Sequence, residues 1–172
     1  WLVPRIRQWL ESLHSKPRIF VEPFAGGAIV GLTVAFEQLS DQVILVERDE
    51  QVAAVWHTVI NTAHGAEWLA KRIVTFQLTP ESVNALLASP ARSARGRAFQ
   101  TIVQNRISHG GILAPGAGAL RYGENGKGIL SRWYPETLRK RILDIARIRG
   151  GIKFIQGDGF EVMRKHARHA DV

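Results

Sequence analysis

The sequence predicts an α/β fold, and three short apolar runs predict it. The first run begins at Ile19 and stops at Pro23, and a pair of glycines then leads into an apolar helical segment from about Ala28 to Leu39. A second run covers Gln42 to Val46, and a third covers Ile152 to Ile155. Because one helix joins the first two runs, they form a βαβ unit, whose strands must lie parallel.

The remaining elements are predicted to be helices and loops. Apolar residues at helical spacing predict an amphipathic helix that ends before Pro17, and helical periodicity continues from Glu50 to Ser108. Within that stretch Thr79 is the expected N-cap of a helix that begins at Pro80, and Arg92 to Gly96 is expected to be an exposed basic connection.

The second half of the chain has a different character. Residues 109–128 are rich in glycine, which excludes a regular helix. Asn125-Gly126 is a type I′ hairpin signal, although a flexible arm that orders on a partner fits the composition equally well. Pro135 then opens a helix that ends at Gly150-Gly151. We therefore expect an α/β core from residues 1–50 and 150–172, with residues 51–149 as a helical insertion.

Charge is concentrated in one part of the chain. The 172 residues carry a net charge of +8, yet twelve Lys or Arg and three Asp or Glu lie between Arg92 and Arg149, which gives that segment +9. A basic segment beside a near-neutral body favours a nucleic-acid partner, because Lys and Arg neutralise backbone phosphates. A charged face that only contacts solvent is the alternative interpretation.

Several classes of protein and site are excluded or poorly supported. The chain has no cysteine, which excludes disulfides and thiolate metal sites. Neither the His57 and His64 pair nor the His166 and His169 pair has an acid that would complete a metal site, so no metal is predicted. Because no apolar run reaches the ~18 residues of a membrane span and no signal segment is seen, we expect a soluble, cytoplasmic protein without a membrane partner.

The turn after the first strand predicts a ligand site. Gly26 and Gly27 allow backbone to approach a ligand closely, and a helix that starts next offers free N–H groups. Glu47 ends the second strand, where a carboxylate accepts hydrogen bonds from a ribose diol in dinucleotide-binding folds. The alternative for the glycine pair is an ordinary turn, and the alternative for Glu47 is a solvated acid.

Three motifs carry a family resemblance. Phe20-Val21-Glu22-Pro23-Phe24-Ala25-Gly26-Gly27 resembles the cofactor motif of the Dam-type, S-adenosylmethionine-dependent DNA adenine methyltransferases. Asn105-Arg106 with its following glycines is similar to the segment that precedes their DNA-recognition hairpin, and Gly157-Asp158-Gly159-Phe160 is similar to their adenine-pocket loop. The resemblance implies a class I methyltransferase-like (Rossmann-like), mostly parallel sheet with a recognition insertion, S-adenosylmethionine as cofactor and duplex DNA as partner.

The resemblance and the chemistry of the side chains nominate two sets of residues. The expected cofactor-binding set contains Glu22, Pro23, Phe24, Ala25, Gly26, Gly27, Glu47, Asp158 and Phe160. The expected DNA-binding set contains Asn105, Arg106, Arg121, Tyr122, Asn125, Lys127 and Arg132, with Lys127 and Arg132 gripping phosphates. Four of these residues also have a structural alternative. For Glu22 it is a backbone cap, and for Arg106 it is a salt bridge. For Asp158 it is an ordinary turn, and for Phe160 it is a ring in the core.

No catalytic residue is nominated. The family's Asp-Pro-Pro-Tyr motif is expected after a strand that begins near Ala170-Asp171-Val172, and it is absent upstream. A Gly-Gly-Lys type motif is expected just before Trp1, so we interpret the chain as a fragment trimmed at both ends. Two rival functions stay open: a methyltransferase that acts on RNA or another amine, and a non-enzymatic nucleic-acid-binding module with a degenerate methyltransferase fold.

Overall fold

A computed structural model describes residues 2–114, 118, 120 and 126–167. The described residues form three strands and eight α-helices: α1 Leu2–Glu11, β1 Ile19–Glu22, α2 Ile29–Phe36, β2 Gln42–Glu47, α3 Glu50–Trp56, α4 Gly65–Thr75, α5 Pro80–Leu87, α6 Ala94–Ile107, α7 Pro135–Ile148, β3 Ile152–Gln156 and α8 Gly159–His166. The expected α/β class is confirmed.

The three strands form one parallel sheet in the order β1-β2-β3. Ile19 pairs with Gln42 at one end of β1 and Glu22 pairs with Leu45 at the other. β2 pairs with β3 from Val43 opposite Ile152 to Glu47 opposite Gln156. All three strands therefore end at the same edge of the sheet, and the loops that follow them meet there.

The middle strand β2 is buried on both faces. Val43, Ile44, Leu45 and Val46 are each no more than 1% exposed, and successive side chains of a strand point to opposite faces. Both sides of the sheet are thus covered at β2, which is typical of parallel sheets. The residues of β1 are all half-buried, because among the described strands β1 pairs only with β2.

Helix α2 is shorter than the sequence predicts. It was expected from about Ala28 to Leu39, but Ala28 adopts a left-handed conformation (φ 51°) and Gln38 does the same (φ 54°). Backbone of that hand cannot continue a right-handed helix, so regular structure is limited to Ile29–Phe36. Thr79 caps α5 as predicted, accepting a hydrogen bond from the Ser82 N–H.

Helix α6 begins earlier than the sequence predicts. Arg92 to Gly96 was expected to be an exposed connection. The prediction is wrong for the second half of this segment, because α6 starts at Ala94. The Ser93 hydroxyl accepts a hydrogen bond from the Gly96 N–H at 3.1 Å. A serine N-cap satisfies one of the free N–H groups of a first helical turn, and this stabilises the earlier start.

One hydrophobic cluster joins the sheet to the helices of the predicted insertion. It includes Val43 and Phe154 from the sheet, Phe99 from α6 and Leu138 from α7. The predicted division of the chain into a core and an insertion stays a prediction, but the described residues of both parts share this cluster. None of the described helices is both long and apolar enough to pass through a bilayer.

Candidate functional site

The candidate site lies at the edge of the sheet where the three strands end. The Ala25 N–H donates to the Val46 carbonyl at 2.8 Å, and the Gly157 N–H donates to the Glu47 carbonyl at 3.0 Å. A Cβ at position 159 would overlap the carbonyl oxygen of Pro23, so a glycine is needed where α8 begins. These contacts bring the loops after β1, β2 and β3 together.

The carboxylate of Glu47 connects two of these loops. Its Oε2 accepts a hydrogen bond from the Gly26 N–H at 2.8 Å. Its Oε1 accepts from the N–H groups of Arg48 and Asp49, each at 2.8 Å. A carboxylate has about four acceptor positions, so Glu47 keeps capacity for about one further donor. The predicted diol acceptor is therefore also a structural residue of the site.

Glu22 has its carboxylate at the start of α2. Its Oε2 accepts a hydrogen bond from the Gly31 N–H at 2.8 Å. Burial raises the pKa of Glu22, and the N–H groups of Gly31 and Val30 partly offset that effect. The backbone-capping role, one of the two roles considered for this residue, is observed, and contact with a cofactor stays a prediction.

The glycine turn between β1 and α2 is open on its outer side. Gly26 has φ 48°, and a Cβ at either Gly26 or Gly27 would meet nothing within 4 Å. The Trp56 indole N–H donates to the Gly26 carbonyl at 2.8 Å, which fixes the turn against α3. Since packing does not require glycine at position 27, the space above the turn is free to receive a ligand.

Asp158 caps α8. One carboxylate oxygen accepts hydrogen bonds from the N–H groups of Phe160 at 2.8 Å and Glu161 at 3.2 Å. The second oxygen lies 3.8 Å from an Arg48 guanidinium nitrogen, and that arginine is largely exposed. The turn role that was the alternative for Asp158 is present, and the second oxygen remains accessible to a ligand.

Two aromatic rings are exposed at the same edge. Phe24 is 61% exposed and Phe160 is 59% exposed. Their ring centroids lie 5.1 Å apart at an interplanar angle of 68°, which is a favourable edge-to-face geometry. The alternative for Phe160, a ring in the core, is wrong, because α8 begins at Gly159 and directs the ring outward.

A cleft of about 830 Å³ lies beside the glycine turn. Helices α2, α3, α6 and α7 form its walls, and most of its lining side chains are apolar. Gly26 and Gly27 line one part, and Asn105 and Arg106 line another. The structure thus brings part of the predicted cofactor set beside part of the predicted DNA set. Asp158 and Phe160 line a separate cavity of about 390 Å³.

The predicted DNA-binding residues have different environments. Asn105 donates from Nδ2 to the Gly111 carbonyl at 2.7 Å, and Arg132 donates to the Ser108 carbonyl at 3.0 Å. Both side chains thereby fix the turn that follows α6. Lys127 is exposed. Arg121, Tyr122 and Asn125 lie outside the described residues.

Sequence reasoning missed two residues of the site. Trp56 holds the glycine turn through its indole N–H, and no local pattern predicts that contact. Arg141 lines the cleft with Leu138, Ile142 and Ile145. These four positions follow the spacing i, i+3, i+4, i+7, so the helical pattern itself places Arg141 on the apolar face.

Comparison with family models and with curated proteins finds no match for this chain. Among the described residues no three His, Cys, Asp or Glu side chains lie close enough to hold a metal ion.

Proposed function

We propose that this chain is the cofactor-binding part of an S-adenosylmethionine-dependent methyltransferase that modifies the exocyclic amine of adenine in duplex DNA. One observation carries the proposal: the loops after three parallel strands place an open glycine turn, the Glu47 carboxylate and the exposed Phe24–Phe160 pair at one edge of the sheet. Ligands of open α/β sheets bind at this edge.

The residues at the edge fit such a cofactor. S-adenosylmethionine would supply an electrophilic methyl group for transfer to the adenine nitrogen, with S-adenosylhomocysteine as the leaving group and the nitrogen proton released to water. Gly26 and Gly27 would lie against its amino-acid end, and Glu47 has acceptor capacity for a ribose hydroxyl. Asp158 and Phe160 would contact the adenine ring. These side chains bind and orient, and none is assigned a proton-transfer role.

The basic segment supports a nucleic-acid substrate. Its net charge of +9 lies in the stretch that contains α6 and α7, and both helices form walls of the cleft that reaches the glycine turn. A phosphate-rich substrate held by these helices would lie beside the proposed methyl donor. The same features would serve a methyltransferase that acts on RNA. A comparison of the affinity for duplex DNA with the affinity for RNA separates these two substrates.

A non-enzymatic nucleic-acid-binding module is the second candidate, and the bonding of Glu47 favours it. Three backbone N–H groups already bind this carboxylate, so a carboxylate at position 47 is explained without a cofactor. The two candidates differ in one respect. The methyltransferase binds a sulfonium nucleoside and its product at this edge, and the binding module binds neither.

Calorimetric titration with S-adenosylhomocysteine tests the proposal. We expect saturable binding by the wild-type chain and a loss of about tenfold in Glu47→Ala, which corresponds to about one hydrogen bond. Glu50→Ala is the matched control, because Glu50 is an exposed neighbour paired with Arg97. Absent or millimolar binding that Glu47→Ala leaves unchanged would favour the binding module.

A further inference from the structure

Two arginines face the same cleft from different helices. Arg106 belongs to α6 and Arg141 to α7, and both line the cleft that begins at the glycine turn. Asn105 lines it beside Arg106. The acid in the lining, Glu37, pairs with Arg7, so the two arginines contribute positive charge to the cleft that no lining acid is shown to neutralise.

Arg106 is half-buried without a matching acid. Among the described residues its Nε is buried and has no hydrogen-bond partner. Burial lowers the pKa of Arg106, and the charges of Arg132 and Arg141 lower it further. A buried N–H without an acceptor is costly, and an anion beside the Arg106 Nε would supply the missing acceptor.

Several other arginines of the described chain are paired with an acid. Five of them form ion pairs with a carboxylate: Arg7 with Glu37, Arg48 with Asp158, Arg97 with Glu50, Arg139 with Glu136 and Arg147 with Asp144. Arg132, which the sequence nominates for phosphate contact, donates instead to the Ser108 carbonyl. Arg106 and Arg141 have no ion pair with any acid in the described part of the chain.

We propose that Arg106 and Arg141 form a binding site for one phosphate of the nucleic-acid backbone at the mouth of the cleft. Guanidinium groups bind oxyanions through paired N–H donors. The apolar wall formed by Ile102, Leu138 and Ile142 would contact the adjoining sugar. This inference rests on the nucleic-acid part of the proposed function and assigns Arg141 a role that sequence reasoning does not.

Salt-dependent binding of a short, fluorescently labelled duplex tests the site. Each phosphate contact contributes about 0.9 to the slope of log K against log salt. We expect Arg106→Gln and Arg141→Gln each to reduce the slope by up to about 0.9 and to weaken binding several-fold at low salt. Arg139→Gln and Arg147→Gln are matched controls on α7, because their guanidinium groups pair with acids, and they should change the slope less.

Equal slopes for Arg141→Gln and the two control variants would overturn the proposal. Arg141 is exposed, so its variant should fold like the wild type, and thermal unfolding of each variant checks this. Arg106→Gln should leave folding intact or improve it, since it removes an unpaired buried charge.

The carboxylate of the cofactor is the competing anion, because the glycine turn lines the same cleft. S-adenosylhomocysteine carries that carboxylate and 5′-methylthioadenosine does not. If Arg141→Gln weakens binding of the first but not the second, and leaves duplex affinity unchanged, the phosphate site is wrong. If the wild type binds neither nucleoside but the slopes fall as expected, the phosphate site holds and the methyltransferase proposal fails.

Discussion

The Gly26 N–H and the Glu47 Oε2 form a hydrogen bond of 2.8 Å across 21 positions of the sequence. This bond fixes the glycine turn after β1 to the end of β2. The same carboxylate accepts the N–H groups of Arg48 and Asp49 through its other oxygen. The shape of the candidate site therefore depends on an acid whose first observed role is structural.

Replacing Glu47 with glutamine should destabilise the chain. The amide group keeps one acceptor oxygen and directs N–H donors at the position of the other, so at least one backbone N–H loses its partner. We expect the free energy of unfolding to fall by about 1–3 kcal/mol, measured by urea denaturation. Glu50→Gln is the control, because an exposed ion pair contributes little. Equal stability of the two variants would show that the carboxylate does not hold the turn.

The two roles considered for Asp158 can be separated by a pair of variants. Asp158→Ala removes the cap of α8 and should lower the free energy of unfolding by about 0.5–2 kcal/mol. Asp158→Ser keeps a capping oxygen and should retain most of the stability. Both variants lack the second carboxylate oxygen, so both should bind S-adenosylhomocysteine more weakly in calorimetry. Wild-type affinity in Asp158→Ser would restrict the residue to the helix cap.

Gly31 is required for the packing of α2 on the sheet. A Cβ at this position would lie 2.5 Å from Leu45 Cδ2 and 2.6 Å from Glu22 Oε2. We expect Gly31→Ala to lower the free energy of unfolding by about 1–3 kcal/mol, because overpacking displaces buried groups. Gly150→Ala is the control, since a Cβ there would meet nothing within 4 Å. A destabilisation no larger than that of Gly150→Ala would contradict the close approach of α2.

Glu22 should make stability depend on pH in the direction opposite to most acids. Because its pKa is raised in the folded chain, the folded state holds its proton more tightly, and that stabilisation is lost as pH rises through the folded pKa. Glu22→Gln should therefore gain stability relative to wild type as pH rises through the folded pKa of Glu22.

Glu37 provides the internal control for this experiment. Its hydrogen bond with Arg7 lowers the pKa of Glu37, so its contribution is present at neutral pH and is lost as pH falls through the folded pKa. Glu37→Gln should thus lose stability relative to wild type as pH rises. Urea denaturation at several pH values measures both trends, and parallel curves for the two variants would contradict the assignment.

Local patterns in the sequence predict most elements of the fold. The strands lie within one or two residues of their predicted ends, and the Pro80 and Pro135 helices begin where expected. Apolar periodicity, proline and glycine act over a few residues, so they can be recognised without knowledge of distant contacts. Ser93 shows the limit of this approach, because its capping contact extends α6 into a segment whose charge indicates a loop.

Only the tertiary structure decides how the candidate residues are used. The sequence by itself establishes an α/β chain with a glycine turn, an acid at the end of a strand and a concentrated positive charge. It does not establish that Glu47 binds three backbone N–H groups, that Arg132 donates to backbone carbonyls or that Arg141 faces the cleft. These facts depend on which distant groups approach within a hydrogen-bond length, and the packing of helices on the sheet sets those distances.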